Sequence, residues 1–89
     1  MNAINLWRID MPMAIVLIDA NAGSVRDIIE GLKKIRGVVE AYGVTGPHDI
    51  VAKIQLDRFE EIAETVSQGI HKLPGVKNTL TMFTFERIV

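Results

Sequence analysis

Apolar and polar residues alternate along this chain in two rhythms, and the changes of rhythm mark its elements. Met13–Ala20 is nearly continuous in apolar residues (Ala14, Ile15, Val16, Leu17, Ile18), which predicts a strand covered on both faces. Asn21-Ala22-Gly23 breaks it. Across Ser24–Arg36, Val25, Ile28, Ile29, Leu32 and Ile35 recur at helical spacing and make one apolar stripe. Ser24 is the expected N-cap with Asp27 three residues on, Lys33, Lys34 and Arg36 fall in the expected last turn, and Gly37 supplies the left-handed stop. Two strands follow, Val38–Thr45 and Ile50–Leu56, joined by a tight turn at Gly46-Pro47-His48-Asp49. Gly46 tolerates positive φ there, Pro47 pre-sets a turn, and Asp49 can bond nearby backbone N–H groups. Asp57 is the expected cap of a second helix, with Glu60 three residues on. Its stripe is Phe59, Ile62, Ala63, Val66, Ile70 and Leu73, and Pro74-Gly75 ends it. Val76–Phe85 is the last strand and Glu86–Val89 a short tail.

An internal echo turns this list into a fold. Lys34-Ile35-Arg36-Gly37-Val38 and Lys72-Leu73-Pro74-Gly75-Val76 stand at the two helix-to-strand junctions, so the chain holds two similar β-α-β halves. The order β-α-β-β-α-β predicts a ferredoxin-like α+β fold, an antiparallel four-stranded sheet with both helices on one face. Right-handed crossovers put the first and third strands in the middle. The helices then cover one face only, yet the first strand is apolar on both. The last strand likewise carries Leu80 and Met82 on one side and Phe83 and Phe85 on the other. A wet apolar face of that size marks an interaction surface. It predicts a face-to-face homodimer of the dimeric α/β-barrel type, with Ile15, Leu17, Phe83 and Phe85 as interface residues.

Composition narrows the function. Eighty-nine residues suit one domain over 13–89, and residues 1–12, which hold the only tryptophan, Trp7, stand outside the pattern. They are read as a linker remnant, an added edge strand or a cloning extension. A net charge of −1 lacks the basic excess of a dedicated nucleic-acid binder. With no cysteine, disulfides and thiolate chemistry are excluded and a reducing cytoplasm is the expected setting. The longest apolar run is far too short to span a membrane. His48 and His71 are the only histidines, and nothing is spaced around them as a metal-ligand set, so neither metal nor cofactor is expected.

At the hairpin and last strand the chain resembles a known family. Gly-Val-Val-Glu-Ala-Tyr at Gly37–Tyr42, then Val44-Thr45-Gly46-Pro47-His48-Asp49-Ile50, then Pro74-Gly75-Val76 followed by Thr79 and Thr81, are similar to the effector-binding (RAM) domain of the Lrp/AsnC transcription regulators. The resemblance covers about Met13 to Phe85. It implies a regulatory module that binds a free amino acid where two dimers meet, dimers that assemble into higher oligomers, and co-assembly with full-length regulators. The helix-turn-helix domain of full-length members does not fit in twelve residues, so no direct DNA contact is expected. Carried over, the implied pocket comprises Gly46, Pro47, His48 and Asp49 of the turn, with Thr79 and Thr81 from a neighbour's last strand. Turn amides can donate to an α-carboxylate, Asp49 can accept from an α-ammonium, and threonine hydroxyls can do either. One departure is His48, where the family usually has a bulky aromatic.

Plainer roles stand beside these. Asp49 is a common turn residue for its own backbone bonds, and Thr79 and Thr81 are favoured strand residues. A small dimeric enzyme of monooxygenase or isomerase type would need an acid, base or nucleophile on the helix-facing positions. Val25, Ile28, Leu32, Phe59, Ile62 and Val66 offer none, so the chain is read as a non-enzyme. An RNA-recognition module would need stacking aromatics on the central strands, which Ala14–Asp19 and Ile50–Gln55 lack. An ACT-like regulatory domain shares both topology and ligand class, and assembly geometry alone separates it.

Overall fold

The computed structural model describes residues 12–89; the expected extension over 1–12 lies, apart from Pro12, outside the described residues. Strand β1 (Met13–Ala20) leads through Asn21–Ser24 into helix α1 (Val25–Leu32). Hairpin strands β2 (Val38–Gly43) and β3 (Ile50–Gln55) follow, then helix α2 (Phe59–Glu64) and strand β4 (Val76–Phe83). The sheet order is β2-β3-β1-β4 with every neighbouring pair antiparallel, so β1 and β3 are the middle strands and the fold is ferredoxin-like.

One face of the sheet makes the core. Ala14, Val16 and Ile18 of β1 and Ile50, Ala52 and Ile54 of β3 are fully buried against Ile28 and Leu32 of α1 and Ile62 of α2. The register carries this face onto β4, where Thr79 lies opposite Ile18, Thr81 opposite Val16 and Phe83 opposite Ala14. Ile15 and Leu17 point the other way, beside Met82 and Leu80. Leu80 and Met82 are 50% and 44% exposed. The apolar second face predicted for β1 is therefore present.

The two echoed junctions fold alike. Val38 N–H donates to Ile35 C=O, and Val76 N–H to Leu73 C=O. Gly37 and Gly75 take φ of 99° and 93°, a left-handed turn that a side chain resists.

Several boundaries differ from the expected ones. Helix α1 ends at Leu32, and Lys33, Lys34 and Arg36 follow it in tighter i to i+3 turns beginning at Gly31, a weak helix former. Neither expected cap forms. Ser24 already has helical backbone and makes no side-chain cap bond, and its Oγ faces Gly75. The cap position of α2 falls on Arg58, one residue after Asp57. Helix α2 does not run on evenly to Leu73. It widens into a π-type turn over Thr65–Gly69, then tightens at Ile70–Lys72, around Gly69, which packs against Ile35. Val66 and Ile70 still reach the core, whereas Phe59 and Ala63 of the expected stripe are exposed. Strand β4 stops at Phe83, leaving Phe85 92% exposed beyond it.

Candidate functional site

The β2–β3 ladder ends earlier than the expected Thr45. Strand β2 ends at Gly43, and the last rung is Val44 N–H to Asp49 C=O at 2.9 Å. Inside that rung Gly46 has φ of 130° and Pro47 has no N–H, so the ladder cannot continue. Three hydrogen bonds pin this loop to the end of β1. Asp49 N–H donates to Ile18 C=O at 3.0 Å, Ala20 N–H donates to Asp49 Oδ2 at 2.8 Å, and His48 Nδ1 donates to Asp19 Oδ1 at 2.8 Å. The Asp49 carboxylate thus serves the backbone of a neighbouring strand rather than its own turn. A carboxylate at Asp19 can only accept, so the His48 nitrogen facing it, Nδ1, carries a proton.

Thr79 and Thr81 stand elsewhere in the subunit. They project from β4 towards α2, and β1 separates them from Asp49, which puts the two groups about 10 Å apart at ordinary strand spacing. Within one subunit the turn and the threonines do not converge. The threonines instead line a cleft of about 280 Å³ between β4 and the second helix, completed by Ala63, Val66, Ser67, His71 and Phe83. Thr79 Oγ1 and His71 Nδ1 are 3.3 Å apart. Phe83, expected at the sheet-to-sheet interface with Ile15 and Leu17, is on this opposite face, its ring perpendicular to that of Phe59 with centroids 5.4 Å apart. Leu80 and Met82 take its place on the open face. His71 lines this cleft yet falls outside the apolar stripe of the second helix, although Phe59, Ala63, Ser67 and His71 recur every fourth residue. Small side chains in the middle of such a row mark a groove.

The open face is half apolar and half polar. A bulge at Val39 inserts an extra residue into β2, which puts Glu40 and Tyr42 on the face opposite Val38. Tyr42 hydroxyl donates to Glu40 Oε1 at 2.8 Å, and Lys53 Nζ lies 3.2 Å from Glu40 Oε2. The hydrogen bond from Tyr42, then those of Lys53, hold the Glu40 carboxyl below its usual range. The same bond to Glu40 raises the Tyr42 phenol. Glu40's share of stability is present above the ordinary carboxylate value and fades as pH falls through its lowered one. Tyr42's share is present below the ordinary phenol value and is lost as pH rises through the raised one. Tyr42 is the only tyrosine, so tyrosinate absorbance reads it alone. Its titration midpoint is expected above the ordinary value of about 10, and Glu40→Gln should bring it down; an unchanged midpoint in that variant would contradict the pairing.

A larger hollow of about 560 Å³ lies at the far end of the helical layer, lined by Ile35, Arg36, Leu56 and Arg58 among others. Its charges are solvated pairs at the limit of contact, Arg36–Glu61 at 3.9 Å and Arg58–Glu61 at 4.0 Å, and none of the candidate residues lines it. Among the described residues no three of His, Asp or Glu converge as metal ligands, no polar or charged residue is buried, and no helix is long and apolar enough to cross a membrane.

A ferredoxin-like sheet with helices on one face, a half-apolar open face and a pinned loop at its end makes a small α+β domain. Residues 13–89 match the family model described as the Lrp/AsnC ligand binding domain, and the chain belongs to that family. It is 32% identical over 74 residues to the HTH-type transcriptional regulator FL11 of Pyrococcus horikoshii, a match that covers 83% of this chain and 48% of the relative. The chain thus spans about half the length of the curated relatives it matches. Among solved structures, TTHA0845 of Thermus thermophilus superposes with a TM-score of 0.84 at 38% identity, covering 89% of this chain and 99% of that one. The transcriptional regulator NMB0573 of Neisseria meningitidis, solved as its L-Met complex, has a TM-score of 0.78 at 14% identity. It covers 100% of this chain and 58% of its own, and shows the shared fold.

Proposed function

We propose that this domain senses a free α-amino acid, bound where two subunits meet, and passes its presence on as a change of assembly. The observation that carries this reading is the pinned loop. Three hydrogen bonds to β1 preorganise Gly46–Asp49 at a sheet end, so its groups need little ordering on binding. Asp49 Oδ2 is engaged by Ala20, which leaves Oδ1 for an α-ammonium, and the loop's backbone amides suit an α-carboxylate. Because Thr79 and Thr81 lie across β1 in the same subunit, a site using both groups draws the threonines from a neighbour. The L-Met complex of NMB0573 supports this ligand class.

The open face supplies the first level of assembly. Ile15, Leu17, Leu80 and Met82 pack on their twofold copies, burying the half-exposed leucine and methionine. Phe85, beyond the sheet, extends the contact, and dimers join into rings around the loops. In the cytoplasm the domain acts on transcription through such contacts, with further copies or with full-length regulators of the family, and itself touches neither DNA nor membrane. It carries no catalytic step and needs no metal or cofactor.

A thermal melt with each of the twenty amino acids tests the reading. A ligand at about 100 times its dissociation constant adds roughly 2.7 kcal/mol, a rise on the order of 10 °C for a domain of this size. One amino acid or one related group should raise the melting temperature, and Asp49→Ala should abolish the rise. A cooperative melt that none of the twenty shifts would defeat the proposal.

A further inference from the structure

The cleft behind Thr79 and Thr81 bears on which amino acids the site accepts. At about 280 Å³ it falls just below the usual range for drug-sized ligands and has room for one small amino acid. Its walls are the Ala63 methyl, Val66 and Phe83, and its lining contains no Asp, Glu, Lys or Arg. An ionised side chain placed there would lose water with no opposite charge to meet it, which is costly. The His71–Thr79 pair and the Thr81 hydroxyl stand on β4 and at the close of the second helix, and the remaining hydroxyl of the lining, that of Ser67, is already donated to Glu64 C=O at 3.3 Å. The cleft is therefore amphipathic in the sense that an amino acid is, with polar groups for the head group and apolar walls for the side chain. Its room exists because Ala63 and Ser67 are small. Both are exposed on the helix surface, so neither is needed to fill the core.

We infer that this cleft takes the side chain of the bound amino acid and selects uncharged, mid-sized apolar ones, with Ala63 and Ser67 setting the size limit. The inference rests on the proposed sensor function and adds the ligand's class to it. Isothermal titration of the full chain with leucine, methionine, alanine, lysine and glutamate tests it, alongside Ala63→Leu and Ser67→Leu. Leucine and methionine should bind roughly tenfold or more tightly than lysine or glutamate, and each filled-cleft variant should weaken them roughly tenfold while alanine changes little. Circular dichroism and gel filtration identify a variant that has lost its fold, and the wild-type ligand ranking needs neither variant. Tightest binding of lysine or glutamate would overturn the inference. So would wild-type leucine and methionine affinity in both folded variants. In both cases the sensor function would survive, provided that Asp49→Ala still abolished binding. Failure of every amino acid to bind the wild type would remove the sensor function and this inference together.

Discussion

Leu17→Asp should convert the proposed face-to-face dimer to a monomer without unfolding it. Leu17 sits in the open-face row Tyr42–Val51–Leu17–Leu80, next to Ile15 and Met82 and opposite in direction to the buried Val16 and Ile18. In a monomer the new carboxylate is solvated and the core is untouched. In a face-to-face dimer it is buried, and the twofold axis brings two copies into one interface. An uncompensated buried charge costs about 3–5 kcal/mol, and each 1.4 kcal/mol is tenfold in affinity. The dimer constant should therefore weaken by on the order of 10³ or more. Sedimentation equilibrium measures it, with a melting curve as the check on fold. A variant that stays dimeric at wild-type affinity would place the interface elsewhere.

The second large effect is expected at Gly75. Its φ of 93° costs a side chain about 1–2 kcal/mol. A Cβ there would also stand 2.5 Å from Ser24 Cβ and 2.6 Å from Ser24 Oγ, closer than packed atoms approach, and overpacking adds about 1–3 kcal/mol. The junction holds further structure, because Asn21 N–H donates to Gly75 C=O at 2.8 Å. Gly75→Ala should lower stability by about 2–5 kcal/mol, a fall in melting temperature on the order of 15 °C. Adding Ser24→Gly should return the steric share and leave the backbone share. A Gly75→Ala protein that melts like the wild type would contradict both.

Much of this architecture was legible because repeated chemistry had one physical solution. The apolar run of β1 could be read as a strand with two apolar faces, and the paired Gly37 and Gly75 junctions required the same left-handed turn twice. Details set by tertiary contact were not legible. Asp57 looks like a cap, but the helix starts one residue later, and Ser24 turns to Gly75 instead of to its own helix. The bulge at Val39 moves Glu40 and Tyr42 to the face opposite Val38, which a period of two cannot foretell. Phe83 followed the register of β4 onto the helix side, where Phe59 receives it. Of the candidate site, the loop Gly46–Asp49 could be read as a turn, but its attachment to Asp19 and Ala20 depends on a strand some thirty residues earlier in the chain. His71 was legible only as a candidate metal ligand, for the opposite reason: the four-residue row it shares with Ala63 and Ser67 is defined by small side chains, and apolar stripes do not register them.

The proposed binding site is built from two subunits, and mixing defective subunits tests this directly. Asp49→Ala removes the loop's carboxylate, and a Thr79→Ala, Thr81→Ala variant removes the hydroxyls; each alone should bind no effector. Unfolded and refolded together in equal amounts, they should regain calorimetric binding at roughly a quarter of the sites, because random pairing sets an intact loop against intact threonines that often. If loop and threonines of the same subunit formed the site, no mixture would restore any binding, and the shared-site account would be wrong.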